Sequence, residues 1–234
     1  MTRNLLGIVS ALLVAAMALS AVIAGQSLPA DLRLPVHWDL SGAPDDWADK
    51  WVGLLMPAGI TAGVGLLFWF LPVLEPRARN FSRSQGLYLW GWAAVLLLGI
   101  AIHLVVLSTA LDWGLPANHV IVGACGLIFV IIGNQLGKSR SMYLIGLRTP
   151  WTLASEEVWV RTHRLAGKLM VLGGLATLVA AFLPLPSGLL ATILIATIAI
   201  AAVVPILYSF LLWRRERVAA AAAAGIVAGD QSSE

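Results

Sequence analysis

The side chains able to do chemistry gather in two short stretches of the 234-residue chain. One runs Arg148-Thr149-Pro150-Trp151-Thr152-Leu153-Ala154-Ser155-Glu156-Glu157-Val158-Trp159 and continues to Thr162-His163-Arg164. His163 with Glu156 or Glu157 has the composition of an acid–base pair. A carboxylate and an imidazole often share a helix face by chance, however, and no Gly-x-Ser-x-Gly or His-Glu-x-x-His pattern accompanies them. The other stretch holds His37, Asp39, Asp45, Asp46 and Asp49. These are donors that divalent cations accept, yet no ligand spacing repeats and acidic turn loops are ordinary, so no metal and no cofactor is assigned. Cys125 is the single cysteine, which excludes an internal disulfide and a thiolate metal centre. No catalytic residue is assigned, and the chain is not read as an enzyme.

The elements that position these stretches are membrane spans. Apolar residues make up 59% of the chain and charged residues 12%, with a mean hydropathy of +0.88; a soluble domain carries about 25% charged residues. The charges are clustered, leaving apolar runs at 5–25, 52–74, 87–111, 120–136, 166–183 and 189–213, near the roughly 20 residues that cross a bilayer. Backbone groups in lipid must be satisfied internally, and runs this long are helices rather than barrel strands. The fold class is therefore all-α: a polytopic membrane bundle of six transmembrane helices. Lys168 lies one turn inside the fifth run, where a lysine can snorkel to the headgroups. The 5–25 run has a basic start and small residues like a secretory signal, but its apolar core is longer than usual and it reads as an uncleaved span.

Orientation follows from the basic residues. With both termini cytoplasmic, all of the 15 Lys and Arg except Arg33 and Lys50 fall on the inner side, as the positive-inside rule requires. The basic pI belongs to these loops; no Lys/Arg stripe interleaved with aromatics suggests direct nucleic-acid binding. Trp51, Trp90, Trp92, Trp113 and Trp213 sit near span ends and read as interfacial anchors. Gly59-xxx-Gly63 and Gly133-xxx-Gly137 read as helix-packing pairs, and Pro57 and Pro205 as kinks. His103 is the titratable side chain near mid-span; with no deep acidic residue to complete a proton relay, it reads as a neutral imidazole bonded to a neighbouring helix. The chain divides into residues 1–75 (two spans and the outer loop 26–50), 76–118 (a linker loop and the third span), 119–217 (three spans and the inner loop 137–165) and a low-complexity tail, 218–234.

In the outer loop, Leu32-Arg33-Leu34-Pro35-Val36-His37-Trp38 alternates like a short strand that Pro35 confines to an edge. Residues 39–46 are turn chemistry throughout. The reading is a small folded extracytoplasmic cap over the outer helix ends. In the inner loop, Thr149-Pro150 enforces an extended approach, and Thr152 or Ser155 caps a helix whose first turn carries Glu156 and Glu157. Glu157 and Arg161 are four apart, as are Trp159 and His163. This predicts a short amphipathic helix at the cytoplasmic face, with Trp159 dipping into the interface. A plain elbow between spans four and five and a docking site fit these residues equally.

The run Gly133-Asn134-Gln135-Leu136-Gly137-Lys138, then Tyr143-Leu144-Ile145-Gly146-Leu147-Arg148-Thr149-Pro150-Trp151-Thr152-Leu153, Glu156-Glu157-Val158-Trp159 and Thr162-His163-Arg164-Leu165-Ala166-Gly167-Lys168 closely resembles the signature of the SdpI family. Leu34-Pro35-Val36-His37-Trp38 and Ser41-Gly42-Ala43-Pro44-Asp45 look like the domain of unknown function that often precedes the SdpI module. Ser139-Arg140-Ser141-Met142 departs from the family's basic-Pro-Asn pattern before the tyrosine. The resemblance implies a multi-pass protein of the bacterial inner membrane that gives resistance to a secreted peptide toxin acting at the membrane. It also implies that a small DNA-binding autorepressor is held at the cytoplasmic face, relieving repression of its operon. On that basis the cap residues His37, Asp39, Gly42, Asp45 and Trp47 would meet the peptide. Arg148, Thr149, Pro150, Trp151, Thr152, Glu156, Glu157, Trp159, His163 and Arg164 would face the repressor or set the state of the bundle. The rival classes are a secondary transporter, which would show charged midplane groups and inverted repeats that are not evident here, and an intramembrane enzyme, for which no nucleophile and base are evident.

Overall fold

The computed structural model describes residues 2–39 and 43–231. Among the described residues, six helices are long and apolar enough to cross a membrane: α1 (Arg3–Ser27), α2 (Lys50–Leu74), α4 (Gln85–Ala110), α5 (Ala117–Leu136), α7 (Glu156–Ala181) and α8 (Ser187–Gln231). Two short helices, α3 (Ala78–Arg83) and α6 (Pro150–Ala154), lie in the connections after the second and fourth spans. Strands β1 (Arg33–Trp38) and β2 (Pro44–Asp49) pair antiparallel outside the first two spans. The all-α bundle is as read from hydropathy, with two corrections to its elements. Residues 44–49, read as turn and return to the bilayer, form β2, because Arg33 to Trp38 offers a ladder that they complete. Residues 156–165, read as a separate surface helix, run without a break into the fifth span, because nothing between Glu156 and Ala181 interrupts the helical pattern.

Helices α1, α2 and α4 form one group, α5, α7 and α8 another, and α4 against α5 joins them. Toward one end of the first group, Leu6, Phe81, Tyr88, Leu89, Trp92 and Leu96 pack with Met142 and Trp159. Toward the other, Ala21, Ala24, Leu54, Val106 and Leu107 enclose Leu34 of β1. The cap is thereby plugged into the helix ends by one apolar side chain. Lys50 secures it from below, its buried Nζ donating to Gly25 O (3.0 Å) and Leu28 O (2.9 Å).

Pro72 in α2 is compensated rather than merely tolerated. Pro72 has no N–H for the carbonyl of Phe68 four residues earlier, which in lipid would be left without a donor. Tyr88 of α4 supplies one: its hydroxyl donates to Phe68 O at 2.9 Å. His103 bonds the neighbouring helix as read, with Nε2 2.8 Å from Ser20 Oγ of α1. Trp92 does not anchor the interface. It is 1% exposed, in ring contact with Phe68, Trp69 and Tyr88, because its side of α4 faces α2.

The two glycine pairs behave differently. A Cβ on Gly167 would come within 2.6 Å of Gly133 O, and one on Gly126 within 2.7 Å of Leu178 N. Helices α5 and α7 therefore cross backbone against backbone. Gly59 and Gly63 have open space where a Cβ would sit, so the packing role read for them is not seen; that side of α2 faces outward, beside exposed Ile60 and Leu66. Gly133→Val or Gly167→Val should overpack the crossing and destabilise the protein by about 1–3 kcal/mol, lowering its thermal unfolding midpoint in detergent. Gly59→Ala and Gly63→Ala should leave that midpoint unchanged or raise it, and equal damage from both pairs would refute the assignment.

Candidate functional site

The elbow after the fourth span is built from the irregular stretch 137–149, the short helix α6 and the first turns of α7. Thr149 caps α6: its Oγ1 accepts from Thr152 N (3.1 Å), and Thr152 Oγ1 accepts from Thr149 N (2.9 Å), a reciprocal box that satisfies donors at the helix start. Pro150 follows at the first helical position, where its missing N–H is no loss. Ser155 then caps α7, accepting from Val158 N at 3.3 Å. Of the two capping residues read from sequence, Ser155 holds that role, and Thr152 is instead the reciprocal partner of Thr149.

Trp159 is the principal correction. Read as dipping into the lipid interface, it is fully buried. Its indole stacks on His163 with ring centroids 3.9 Å apart, and Nε1 donates to Ser139 Oγ at 3.2 Å. The reason is that α7 starts within the protein, so this face meets Met142 and the aromatic cluster of α4 rather than lipid. The chain closes over the pair at Gly146, whose φ of +117° suits glycine; a Cβ there would lie 2.7 Å from His163 Nε2 and 2.8 Å from the Trp159 ring.

His163 is wholly committed to the backbone. Nδ1 lies 2.8 Å from Trp159 O and must donate to it, while Nε2 accepts from Leu147 N at 2.9 Å. That pattern requires the neutral ring with its proton on Nδ1. The acid–base pairing with Glu156 or Glu157 is therefore not formed. Glu156 instead accepts from Ser141 N (3.3 Å to Oε2), and Glu157 pairs with Arg161 at 2.7 Å on an exposed surface.

The residues that sequence reasoning missed lie just past α2. Glu75 is buried, and its carboxylate accepts from Tyr143 N (3.0 and 3.1 Å), Leu144 N (2.8 Å) and Arg77 N (3.0 Å). Arg77 donates to Ser141 Oγ and lies over the Tyr143 ring, 4.4 Å from its centroid. Asn80 Nδ2 donates to Ser141 O (2.7 Å), and Arg140 N donates to Ser84 Oγ (2.8 Å). On the opposite side Trp151 meets Phe210 of α8, with centroids 5.2 Å apart. Thr149 Oγ1 lies 3.3 Å from Ser209 Oγ, and Ser155 Oγ donates to Glu216 at 3.3 Å. The ten residues read as one site thus divide. Thr149, Thr152, Trp159 and His163 are buried framework, and Trp151 is half-buried against α8. Arg148, Pro150, Glu156, Glu157 and Arg164 form an exposed rim.

At the cap between the first two spans, His37 Nδ1 lies 2.6 Å from Asp45 Oδ1, both well exposed. Asp39 folds the strand end, with Oδ1 accepting from Ala43 N at 3.0 Å. Arg33 Nη2 donates to Trp47 O at 2.7 Å, and the Trp47 ring is exposed. Gly42 lies outside the described residues. Of the five cap residues, His37 and Asp45 are brought together, Asp39 shapes the turn, and Trp47 presents an indole to the surroundings.

Comparison with known proteins finds family likeness in two stretches of the chain. Residues 138–209 match the SdpI/YfhL protein family. This stretch is an SdpI-family module. Residues 11–62 match a domain of unknown function, DUF1648, which takes in the cap. Over 175 residues the chain is 26% identical to Immunity protein SdpI of Bacillus subtilis (strain 168), covering 75% of this chain and 81% of that protein. No solved structure matches. Together with the six apolar helices, this kinship identifies a multi-pass protein of the bacterial inner membrane.

Glu75 grips Tyr143 and Leu144, near the start of the stretch that matches the SdpI/YfhL family, and this grip is testable. Glu75→Ala removes the acceptor of two elbow N–H groups, each loss being worth about 1–3 kcal/mol. Amide hydrogen exchange at Tyr143 and Leu144 should then accelerate while the transmembrane segments stay protected, with Glu75→Gln in between. Unchanged exchange in Glu75→Ala would show that the carboxylate does not hold the elbow.

Proposed function

We propose that this chain is a membrane immunity protein: its outer cap meets a membrane-active peptide toxin, and its inner elbow presents a surface to a cytoplasmic autorepressor. The kinship with a curated immunity protein over three-quarters of the chain carries the reading. The geometry supports it by giving each role an accessible surface on a fixed support. On the cap, the exposed Trp47 and the His37–Asp45 pair stand on a hairpin plugged by Leu34. On the elbow, the rim of Arg148, Pro150, Glu156, Glu157 and Arg164 stands on the buried Trp159–His163 stack. Peptide at one face changes the other only if it binds one arrangement of the bundle better than another.

Expression in a toxin-sensitive bacterium should raise survival. Trp47→Ala should reduce protection at least about tenfold, since a truncated aromatic anchor removes a large share of contact energy. Arg148→Glu should spare protection but abolish induction of a repressor-controlled reporter. Protein levels in the membrane must match throughout, and survival no better than with an empty vector defeats the proposal.

The same reading puts both termini and the elbow in the cytoplasm and the cap outside. In a Cys125→Ser background, an impermeant thiol reagent applied to intact cells should label Asp46→Cys and spare Glu157→Cys. The reverse pattern would invert the assignment of the two surfaces.

A further inference from the structure

A cleft of about 470 Å³ opens where α5 ends against α7, with Lys138, Arg164 and Lys168 around it, Asn134 at its edge and Val171 and Leu172 on its apolar side. Its floor is the glycine crossing, where Gly133 and Gly167 bring the two backbones together before the side chains splay. All three cations are exposed. Among the described residues, no carboxylate comes within ion-pair distance of any of them. The acidic side chains of α7 are spent elsewhere, Glu157 on Arg161 and Glu156 on Ser141 N.

The level of the cleft decides what would fill it. Helix α5 has 20 residues, about 30 Å at 1.5 Å per residue, which matches the hydrocarbon thickness of a bilayer. Its inner end at Gly137 therefore marks where hydrocarbon gives way to headgroups, and Arg164 packs directly on Gly137. Lys168 lies one turn deeper. An ammonium at that depth without a counter-charge is costly, and it must reach either water or an anion. Basic pockets between transmembrane helices at this level suit anionic headgroups, whose acyl chains continue along the apolar wall.

We propose that the cleft between α5 and α7 binds an anionic glycerophospholipid. Its phosphate sits among Lys138, Arg164 and Lys168, and an acyl chain runs along Val171 and Leu172. The lipid then acts as the counter-charge that the protein itself omits. Bound there, it spans the α5–α7 crossing and stiffens the base from which the elbow rises.

The test is titration of the full-length protein in mild detergent with phosphatidylglycerol or phosphatidylcholine, counting bound lipids by native mass spectrometry. Phosphatidylglycerol should bind saturably and in preference. Each neutralised cation should weaken it about fivefold and the Lys138→Gln/Arg164→Gln/Lys168→Gln variant about a hundredfold. Arg214→Gln/Arg215→Gln, which removes basic charge outside the cleft, should leave binding unchanged. Should the triple variant fail to accumulate, Lys168→Gln alone carries the test, with Lys168→Arg retaining affinity. Equal binding of the two lipids, equal loss in the Arg214/Arg215 variant, or displacement of phosphatidylglycerol by soluble polyglutamate would each overturn the proposal, the last by reassigning the cleft to an acidic protein partner. The assay contains neither toxin nor repressor, so its outcome stands apart from that of the immunity reading.

Discussion

Backbone that leaves a helix beside a membrane must still find partners for its N–H groups, and between residues 140 and 149 six of the acceptors are side chains, most of them from elsewhere in the fold. Arg140 N goes to Ser84, Ser141 N to Glu156, Tyr143 and Leu144 N to Glu75, Leu147 N to His163 and Thr149 N to Thr152. A buried donor left unpaired costs on the order of 1–3 kcal/mol, so a stretch with several such donors holds one shape only while its acceptors stay in place. The residue types in the inner segment then acquire physical reasons. A histidine offers an acceptor nitrogen and a donor nitrogen at fixed separation. A glycine lets the chain pass over an indole. A threonine–proline pair starts a helix with its first donors already satisfied.

This constraint separates framework from surface. A buried side chain with every polar atom engaged by the backbone cannot also recognise a partner. His163 is the clearest case, because both ring nitrogens face main-chain atoms. The exposed rim is different: the Glu157–Arg161 pair is solvent-screened and contributes little to stability, which leaves it available to another molecule. Mutations in the two classes should therefore fail differently, framework changes by loss of folded protein and rim changes by loss of interaction.

The six spans were legible because long apolar runs have few alternatives. So were the Ser155 cap, the Glu157–Arg161 pair and the Trp159–His163 neighbours, all of which are local and follow from helical spacing. Periodicity failed where the answer depends on what covers a face. A tryptophan near a span end reads as an anchor, yet Trp92 and Trp159 are covered by α2 and α4 packing that no local pattern announces. Gly59-xxx-Gly63 reads like Gly133-xxx-Gly137, but only the second meets another backbone. Nothing local marks Glu75, because its partners lie 68 and 69 residues away. The second strand escaped notice since Pro44-Asp45-Asp46 is poor strand sequence, held by the ladder from Arg33 to Trp38.

The placement of Glu75 also bears on how the two faces of the bundle are connected. Strand β2 ends at Asp49, α2 begins at Lys50 and ends at Leu74, and the next residue is the carboxylate that grips the elbow. A single helix of 25 residues, about 37 Å long, therefore runs from the cap to the elbow with no loop between. At its start Lys50 is bonded to the end of α1, and near its finish Phe68 O is held by Tyr88 of α4. A continuous helix held at both ends carries displacement from one face to the other, although Pro57 and Pro72 each remove a hydrogen bond from it. A ligand that shifts the hairpin must then move Glu75 relative to Tyr143 and Leu144, break one of these pins, or bend α2 at a proline. Energetic coupling between distant sites needs such a physically continuous element with two arrangements, and α2 supplies the continuity.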